Sequence, residues 1–198
     1  KDKLILDNEL IDILHWMNCI FISVRNSSTR LPNKAILDLC GKPTIQYLIE
    51  SMMNSRSADK IILCTSDRKE DDVLCNIASG CGIEYFRGSL DDKLVRWRDA
   101  CKEYGIDFFV NVDGDDLFFD VDLADIVIDQ YKNDPCDFID GNGFYNDVYG
   151  IKTTALNKVC EIKDSDSTEY IRLYFTETGI FQTRKVKDIP IKYIKGDI

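Results

Sequence analysis

Residues 18–34, NCIFISVRNSSTRLPNK, join two contrasting segments. The first, 18–24, is a short apolar run, which is typical of a strand buried on both faces of a parallel sheet. The second, 25–34, carries three cations and three hydroxyl side chains in a chain whose formal net charge is −10. Because open α/β sheets bind ligands outside the carboxyl ends of their strands, this junction predicts such a sheet with a local anion site after its first strand.

Apolar runs and helix-like segments alternate through the first two thirds of the chain. The predicted strands are 18–24, 60–66, 83–86 and 107–112. The predicted helices are 4–16, 43–54, 70–80, 91–105 and 121–133. The alternation indicates a three-layer α/β fold, in which a mainly parallel sheet carries helices on both faces. After residue 135 the pattern predicts short antiparallel additions, with strands at 137–140, 148–153, 179–185 and 189–194 and a helix near 167–175.

The composition excludes several classes of protein. The chain has 198 residues, of which 44% are hydrophobic, so it is long enough to bury the core of one domain. Acidic residues outnumber basic ones 35 to 25, which argues against a nucleic-acid or anionic-membrane partner. The sequence shows neither a stretch long enough to span a membrane nor a signal-peptide pattern. We therefore expect a cytoplasmic protein.

Cysteine and histidine usage narrows the possible chemistry. The eight cysteines are scattered and form no CxxC pair, which predicts reduced, mainly buried thiols. His15 is the only histidine. A histidine-based triad or a zinc site with several histidines is therefore disfavoured.

The loop after the first strand has the spacing R-x4-R-x3-K, formed by Arg25, Arg30 and Lys34. Arginine presents a planar pair of donors to phosphate oxygens and lysine adds a compact cation, so the pattern fits a polyphosphate. The residues between them favour turns and can donate hydrogen bonds: Asn26, Ser27, Ser28 and Thr29. The alternative is a solvated basic loop. The Gly-rich phosphate motifs GxxxxGK[ST] and GxGxxG are absent.

A second polar stretch, FFVNVDGDDLFFD at 108–120, follows a predicted buried strand. Asp113, Asp115 and Asp116 surround Gly114, and neighbouring carboxylates repel unless a cation or solvent offsets their charge. Magnesium bound by one or two carboxylates and substrate phosphates would do so. The alternative is a solvated acidic turn with an aspartate capping the helix that starts near Asp122. Beside a triphosphate loop, Mg²⁺ binding is favoured.

Four segments resemble one family in order and spacing: VRNSSTRLPNKAILDLCGKPTIQYLIESM, CTSDRKEDDV, YFRGSLDDKLVRW and NVDGDDLF. They are similar to the sugar-acid cytidylyltransferases, particularly the CMP-Kdo synthetase and spore-coat polysaccharide cytidylyltransferase group, over about residues 18–130. The resemblance implies a Rossmann-like, nucleotide-diphospho-sugar transferase-like fold. It also implies transfer of CMP from CTP to an anionic sugar-like acceptor, a sugar acid or a sugar or polyol phosphate, with release of pyrophosphate, for surface polysaccharide biosynthesis.

The resemblance also suggests roles for individual residues. The implied catalytic residues are Arg25, Arg30, Lys34 and Asp115. The implied nucleotide-binding residues are these three cations, Ser23, Asn26, Ser27, Ser28, Thr29, Thr65, Ser66, Asp67 and Asp113. The metal ligands are expected to be Asp113, Asp115 and Asp197. Acceptor contacts are expected from Glu169 and, because they follow the third predicted strand, from Arg87 and Arg96.

The chain departs from the family pattern at several of these positions. Asn33 stands where the family has a glycine, and Asp113 stands where a glutamine or threonine is common. Glu169 precedes Tyr170 where the spore-coat group has an acidic residue followed by histidine. The chain is expected to be one domain, excised from a longer polypeptide, with three parts: a helical extension (1–17), a nucleotide-binding part (18–135) and an acceptor-binding and dimerisation part (136–198). A homodimer is possible.

Two alternatives to the cytidylyltransferase remain open. Asp113-Gly114-Asp115 also matches the D-x-D pattern of glycosyltransferases that hold a nucleotide-sugar through a metal, although such an enzyme does not need the cationic loop. A nucleotide-binding domain without catalytic activity is the second alternative. Elsewhere, the acidic run 70–72 is expected to cap a helix, and Trp97 is expected to pack in the core.

Overall fold

The computed structural model describes residues 16–27, 33–141, 148–165, 171–188 and 190. Three predicted elements fall wholly or partly elsewhere. The predicted strand at 189–194 lies outside the described residues apart from Pro190. The predicted N-terminal helix at 4–16 lies outside them apart from Trp16. The helix near 167–175 is described only from residue 171.

Nine strands are present in the described part of the chain. They are β1 (Asn18–Ser23), β2 (Asp38–Leu39), β3 (Lys42–Pro43), β4 (Lys60–Ser66), β5 (Glu84–Gly88), β6 (Phe108–Asp113), β7 (Phe138–Gly141), β8 (Val148–Lys152) and β9 (Thr183–Lys185). Seven of them form one sheet in the order β5-β4-β1-β6-β8-β7-β9, and β2 pairs with β3 in a separate hairpin. Strands β5, β4, β1 and β6 are mutually parallel. β8 runs antiparallel to β6 and to β7.

Helices cover both faces of this sheet. They are α1 (Thr44–Met52), α2 (Asp72–Gly80), α3 (Lys93–Tyr104), α4 (Val121–Asn133), α5 (Thr153–Ile162) and α6 (Ile171–Thr176). Short 3-10 turns precede α1 and α2, at Lys34–Ile36 and Lys69–Asp71. One core cluster contains side chains of α1, α2 and α4, and a second contains those of α3, α5 and α6. The predicted three-layer α/β fold is therefore confirmed.

The alternation of side chains along β1 explains the two cores. Ile20 and Ile22 belong to the first cluster, whereas Cys19 and Phe21 belong to the second, because successive strand residues point to opposite faces. Trp97 on α3 is fully buried in the second cluster, which confirms its predicted core role. All eight cysteines are free, and Cys40 is the exposed one.

Two elements were missing from the sequence prediction. Helix α5 follows β8 directly and buries Ala155, Leu156 and Val159 against α3 and the sheet. This apolar face is too short to indicate a helix in the sequence, and contacts with distant residues stabilise it. The β2–β3 hairpin turns through Cys40 and Gly41, which both have positive φ angles. Among the described residues, no helix combines the length and apolarity needed to cross a membrane.

Candidate active site

The acidic turn lies at the carboxyl end of β6, directly beside the end of β1. Ser23 and Asp113 are register partners in the two parallel strands, and the Gly114 amide donates a 2.8 Å hydrogen bond to the Ser23 carbonyl. A β-carbon at Gly114 would lie 2.5 Å from Cβ of Val24. Only glycine permits this close approach, and it places Asp113 and Asp115 on either side of a tight turn.

Asp113 is held by two donors from different elements. Nζ of Lys93, the first residue of α3, donates to Asp113 Oδ1 at 2.6 Å, and Asn111 Nδ2 donates to the same oxygen at 3.1 Å. Partial desolvation works to raise the pKa of Asp113. The charge of Lys93, the two hydrogen bonds and the charge of Lys34 outweigh it, and the pKa lies below its usual range.

A buried chain of hydrogen bonds supports Asn111. Trp97 Nε1 donates to Ser23 Oγ at 2.8 Å, and Ser23 Oγ donates to Asn111 Oδ1 at 2.6 Å. Ser23 is 7% exposed, so its side chain is committed to this network. The hydroxyl orients Asn111 and through it Asp113, and the expected contact between Ser23 and the nucleotide stays a prediction.

Lys34 reaches the other carboxylate of the turn and forms an ion pair with Asp115. Its backbone is fixed by Thr44, whose hydroxyl donates to the Lys34 carbonyl at 2.7 Å. Asn33, where the resemblance implies a glycine, has φ 58° and ψ 22°. This left-handed conformation is natural for glycine, and asparagine is one of the few other residues that tolerate it. The substitution therefore preserves the local backbone.

Arg25 extends from the end of β1 and donates to the Leu90 carbonyl at 2.7 Å. Arg96 on α3 donates to the neighbouring Ser89 carbonyl, also at 2.7 Å. Arg96 is 3% exposed, and burial lowers the pKa of its guanidinium. The Arg96 side chain supports the loop after β5 from inside, and the expected contact between Arg96 and the acceptor stays a prediction.

A buried carboxylate anchors the start of the cationic loop. Asp71 accepts hydrogen bonds from the Asn26 amide at 2.8 Å and from the Ser66 hydroxyl. Asn26 Nδ2 donates to the Glu70 carbonyl at 2.9 Å. Asp71 thus joins the loops that follow β1 and β4. Asp71 occupies the N-cap position of α2, but its side chain makes no capping hydrogen bond. The expectation that the run 70–72 caps a helix is therefore wrong for this residue.

The residues predicted to contact the nucleotide differ in their burial. Thr65 and Ser66 are fully buried, and Asn26 is 5% exposed. Their side chains lie beneath the surface of the site, and their contacts with the nucleotide stay predictions. Asp67 and Ser27 are exposed. The Asp67 amide is fixed by a 2.9 Å hydrogen bond to the Gly88 carbonyl.

Arg87 lies away from the acidic turn. It is on β5, and β4 and β1 separate that strand from β6, which corresponds to roughly 14 Å at the usual strand spacing. Its guanidinium pairs with Asp72 at 2.6 Å and donates to the Arg68 carbonyl at 3.0 Å. The structure therefore places Arg87 away from the acidic turn.

Five predicted residues lie outside the described part of the chain: Ser28, Thr29, Arg30, Glu169 and Asp197. Among the described residues, no group of three or more His, Cys, Asp or Glu side chains could hold a metal. The side chains of Asp113 and Asp115 are 54% and 52% exposed. Two accessible carboxylates fit Mg²⁺, which keeps several water molecules and shares its coordination with substrate phosphates.

Sequence reasoning missed Lys93 and Asn111. Asn111 is two residues before Asp113, so the alternation of strand side chains puts both on one face. Lys93 gave only the weak signal of a cation at the start of a helix, where acidic residues are preferred. Its proximity to Asp113 depends on how α3 packs on the sheet.

A mainly parallel sheet whose carboxyl edge combines paired carboxylates with a cationic loop defines a nucleotidyltransferase-like α/β protein. A sequence model of the cytidylyltransferase family matches residues 19–193, and the chain belongs to the cytidylyltransferase family. The predicted family and the enzyme class to which it belongs, the nucleotidyltransferases, are thereby confirmed.

Individual proteins agree with this assignment. The 3-deoxy-manno-octulosonate cytidylyltransferase of Aeromonas salmonicida is 34% identical over 102 residues, covering 49% of this chain and 39% of that protein. The spore coat polysaccharide biosynthesis protein SpsF of Bacillus subtilis is 27% identical over 121 residues, covering 59% and 50%. The structure of a cytidylyltransferase from Leptospira borgpetersenii superposes with a TM-score of 0.81 at 24% identity, covering 91% and 78%. The chain spans about half the length of the curated relatives it matches.

Proposed function

We propose that the chain transfers CMP from CTP to an anionic sugar-like acceptor, with Mg²⁺ as cofactor and release of pyrophosphate. The acceptor class is a sugar acid or a sugar or polyol phosphate, and the product serves surface polysaccharide biosynthesis. The observation that carries the proposal is the meeting of Asp113 and Asp115 with the cationic loop after β1, where Lys34 pairs with Asp115. The names of the A. salmonicida and B. subtilis relatives support the acceptor class and the polysaccharide role.

Each part of the site has a role in this reaction. Arg25 and Lys34, together with Arg30, hold the triphosphate and stabilise the charge that develops on the leaving pyrophosphate. An acceptor oxygen attacks the α-phosphorus, and the bond between that phosphorus and the pyrophosphate oxygen breaks. Asp113 and Asp115 would hold Mg²⁺, which supplies charge neutralisation and in-line orientation.

The turn itself contributes preorganisation. Gly114 is bound to the Ser23 carbonyl and the Trp97–Ser23–Asn111 chain fixes Asp113, so the carboxylates need little rearrangement. Asp71 similarly fixes the loop that carries Arg25. The proposal includes a homodimer formed through residues 136–198, which light scattering coupled to gel filtration would test.

The test is pyrophosphate release with Mg²⁺, each of the four NTPs, and a panel of sugar acids and sugar phosphates. We expect release that requires CTP and one acceptor class. Lys34→Ala and Asp115→Ala should each lower the rate by about 10²-fold or more, because each removes a group aimed at the reacting phosphates.

Lys60→Ala and Glu84→Ala are matched controls. They break a 3.0 Å Lys–Glu ion pair at the amino end of the sheet, and the rate should change by less than about twofold. If the nucleotide binds but no acceptor gives turnover by the wild type, the chain is the non-catalytic domain. If the chain hydrolyses a nucleotide-sugar, or transfers the sugar from it, and does not react with CTP, the glycosyltransferase alternative is supported.

A further inference from the structure

Lys93 is a cation of the site that lies outside the cationic loop, and the family resemblance, although it covers this segment, gives Lys93 no role. Its ammonium lies 2.6 Å from Asp113 Oδ1 and 4.8 Å from the centre of the Trp97 ring. The side chain is 18% exposed, so it is largely enclosed by the site. A lysine at the first position of a helix opposes the helix dipole, and this position therefore does not serve helix stability.

The start of α3 is rigidly placed. Asp92 caps the helix, accepting from the Val95 amide at 3.0 Å, and Lys163 donates to the other oxygen of Asp92 at 2.5 Å. Only the flexible four-carbon stem of Lys93 needs to move for its ammonium to change partners. The base of that stem is thus fixed beside the acidic turn.

Two lysines reach the turn from opposite faces of the sheet. Lys34 precedes Ala35, which is buried in the first core cluster, and Lys93 precedes Leu94, which is buried in the second. Lys34 pairs with Asp115 and Lys93 pairs with Asp113. The two carboxylates proposed to hold Mg²⁺ are therefore already neutralised, one by each lysine.

This arrangement sets the charge balance of ligand binding. A metal ion alone at Asp113 is repelled by the Lys93 ammonium on the same carboxylate, and it leaves an excess of positive charge. A triphosphate alone brings negative charge next to Asp113 and Asp115. When both bind, the displaced ammonium acquires an anionic partner, and the charges compensate.

We propose that Lys93 exchanges partners during substrate binding. It neutralises Asp113 in the metal-free chain and turns to a phosphate oxygen of the nucleotide when a metal ion binds at Asp113. Metal and nucleotide consequently bind with positive coupling that depends on the charge of Lys93. This inference rests on the proposed function, because it takes CTP and a divalent metal as the ligands.

The test measures the affinity for Mn²⁺ with and without CTP, by electron paramagnetic resonance of free Mn²⁺, after subtracting the Mn²⁺ held by CTP in solution. No acceptor is added. In the wild type, CTP should tighten Mn²⁺ binding by about tenfold or more, within the usual range of coupling between sites. Tripolyphosphate in place of CTP should give a similar coupling, because the exchange involves phosphate oxygens.

Lys93→Met removes the charge. Mn²⁺ alone should then bind up to about fivefold more tightly, since a competing ammonium is gone, while the coupling to CTP falls by about fivefold or more. Lys93→Gln should reproduce this result if the methionine variant unfolds, and Lys93→Arg should retain most of the coupling. Lys102→Met is the control, because it removes a charge from the same helix about 14 Å farther along its axis.

The outcomes separate the two proposals. The exchange is overturned if the coupling between Mn²⁺ and CTP is the same in Lys93→Met and Lys93→Gln as in the wild type. It is also overturned if these variants bind Mn²⁺ alone more weakly than the wild type does. Either result leaves the proposed function intact. A wild type that binds neither Mn²⁺ nor CTP overturns both.

Discussion

Gly114→Ala is the most direct perturbation of the acidic turn, because its effect follows from the distances between an added β-carbon and its neighbours. The added β-carbon would lie 2.5 Å from Val24 Cβ, 2.9 Å from Val24 Cγ2 and 3.2 Å from Ile45 Cδ1. Carbon atoms pack at about 3.5–4.0 Å, so the turn or the end of β1 has to move by about 1 Å.

Two quantities should change as a result. Overpacking of this kind costs about 1–3 kcal/mol in the free energy of unfolding, and the melting temperature should fall by about 2–12 °C in a domain of this size. The same displacement moves Asp113 and Asp115. A misplacement of about 1 Å lowers the rate of a positioned reaction by about 10²-fold, so pyrophosphate release should fall by this order.

Urea denaturation followed by circular dichroism and the pyrophosphate assay measure the two effects. Gly80→Ala is the matched control, because the same methyl group added at the end of α2 would meet no atom within 4 Å. It should leave stability unchanged or raise it by up to about 1 kcal/mol. Equal stabilities for Gly114→Ala and Gly80→Ala would refute the steric argument.

Other predictions follow from buried groups. Asp71→Asn should lower the free energy of unfolding in urea by about 2–4 kcal/mol, because it weakens the buried bonds to Asn26 and Ser66. Asp72→Asn is the control, because its partner Arg87 is partly exposed, and it should lower the free energy of unfolding by less than about 1 kcal/mol. Equal losses of stability in the two variants would contradict the role of Asp71 as the anchor of the two loops. Burial raises the pKa of Cys101 to about 12, above the unfolded value of about 8.5. The unfolded chain therefore loses this proton first, so stability should fall as the pH rises above about 8.5. At pH 8 without denaturant, a thiol reagent should modify the exposed Cys40 before the other cysteines. Cys40→Ser should remove this fast phase of labelling. Rapid labelling of the buried cysteines would contradict the prediction.

Much of the sheet could be predicted from the sequence. The runs 60–66 and 121–133 were predicted with the bounds that β4 and α4 have, because continuous apolar runs and a helical period are strong local signals. The C-terminal third was predicted less well. Strand β9 covers only Thr183–Lys185 of the predicted 179–185, and α5 was missed. These short elements are stabilised by contacts with distant residues.

The site, like the fold, could be predicted from the sequence only in part. The position of Asp113 and Asp115 after a strand, and of Lys34 after the first strand's loop, could be predicted because the ends of parallel strands share one edge of the sheet. The roles of Ser23, Ser66 and Arg96 could not. Each looks like a ligand-binding residue in the sequence, yet each is buried, and burial is a property of packing.

The sequence by itself determined the four parallel strands, the helices between them, the cationic loop, the acidic turn and the resemblance to the cytidylyltransferases, because these depend on residues close together in the chain. Only the tertiary structure decided which polar groups meet. Asp71 joins two loops, Ser23 connects Trp97 to Asn111, and Lys93 pairs with Asp113. The last two contacts link residues 74 and 20 positions apart, so the packing of α3 against the sheet determines them, and no local pattern specifies that packing.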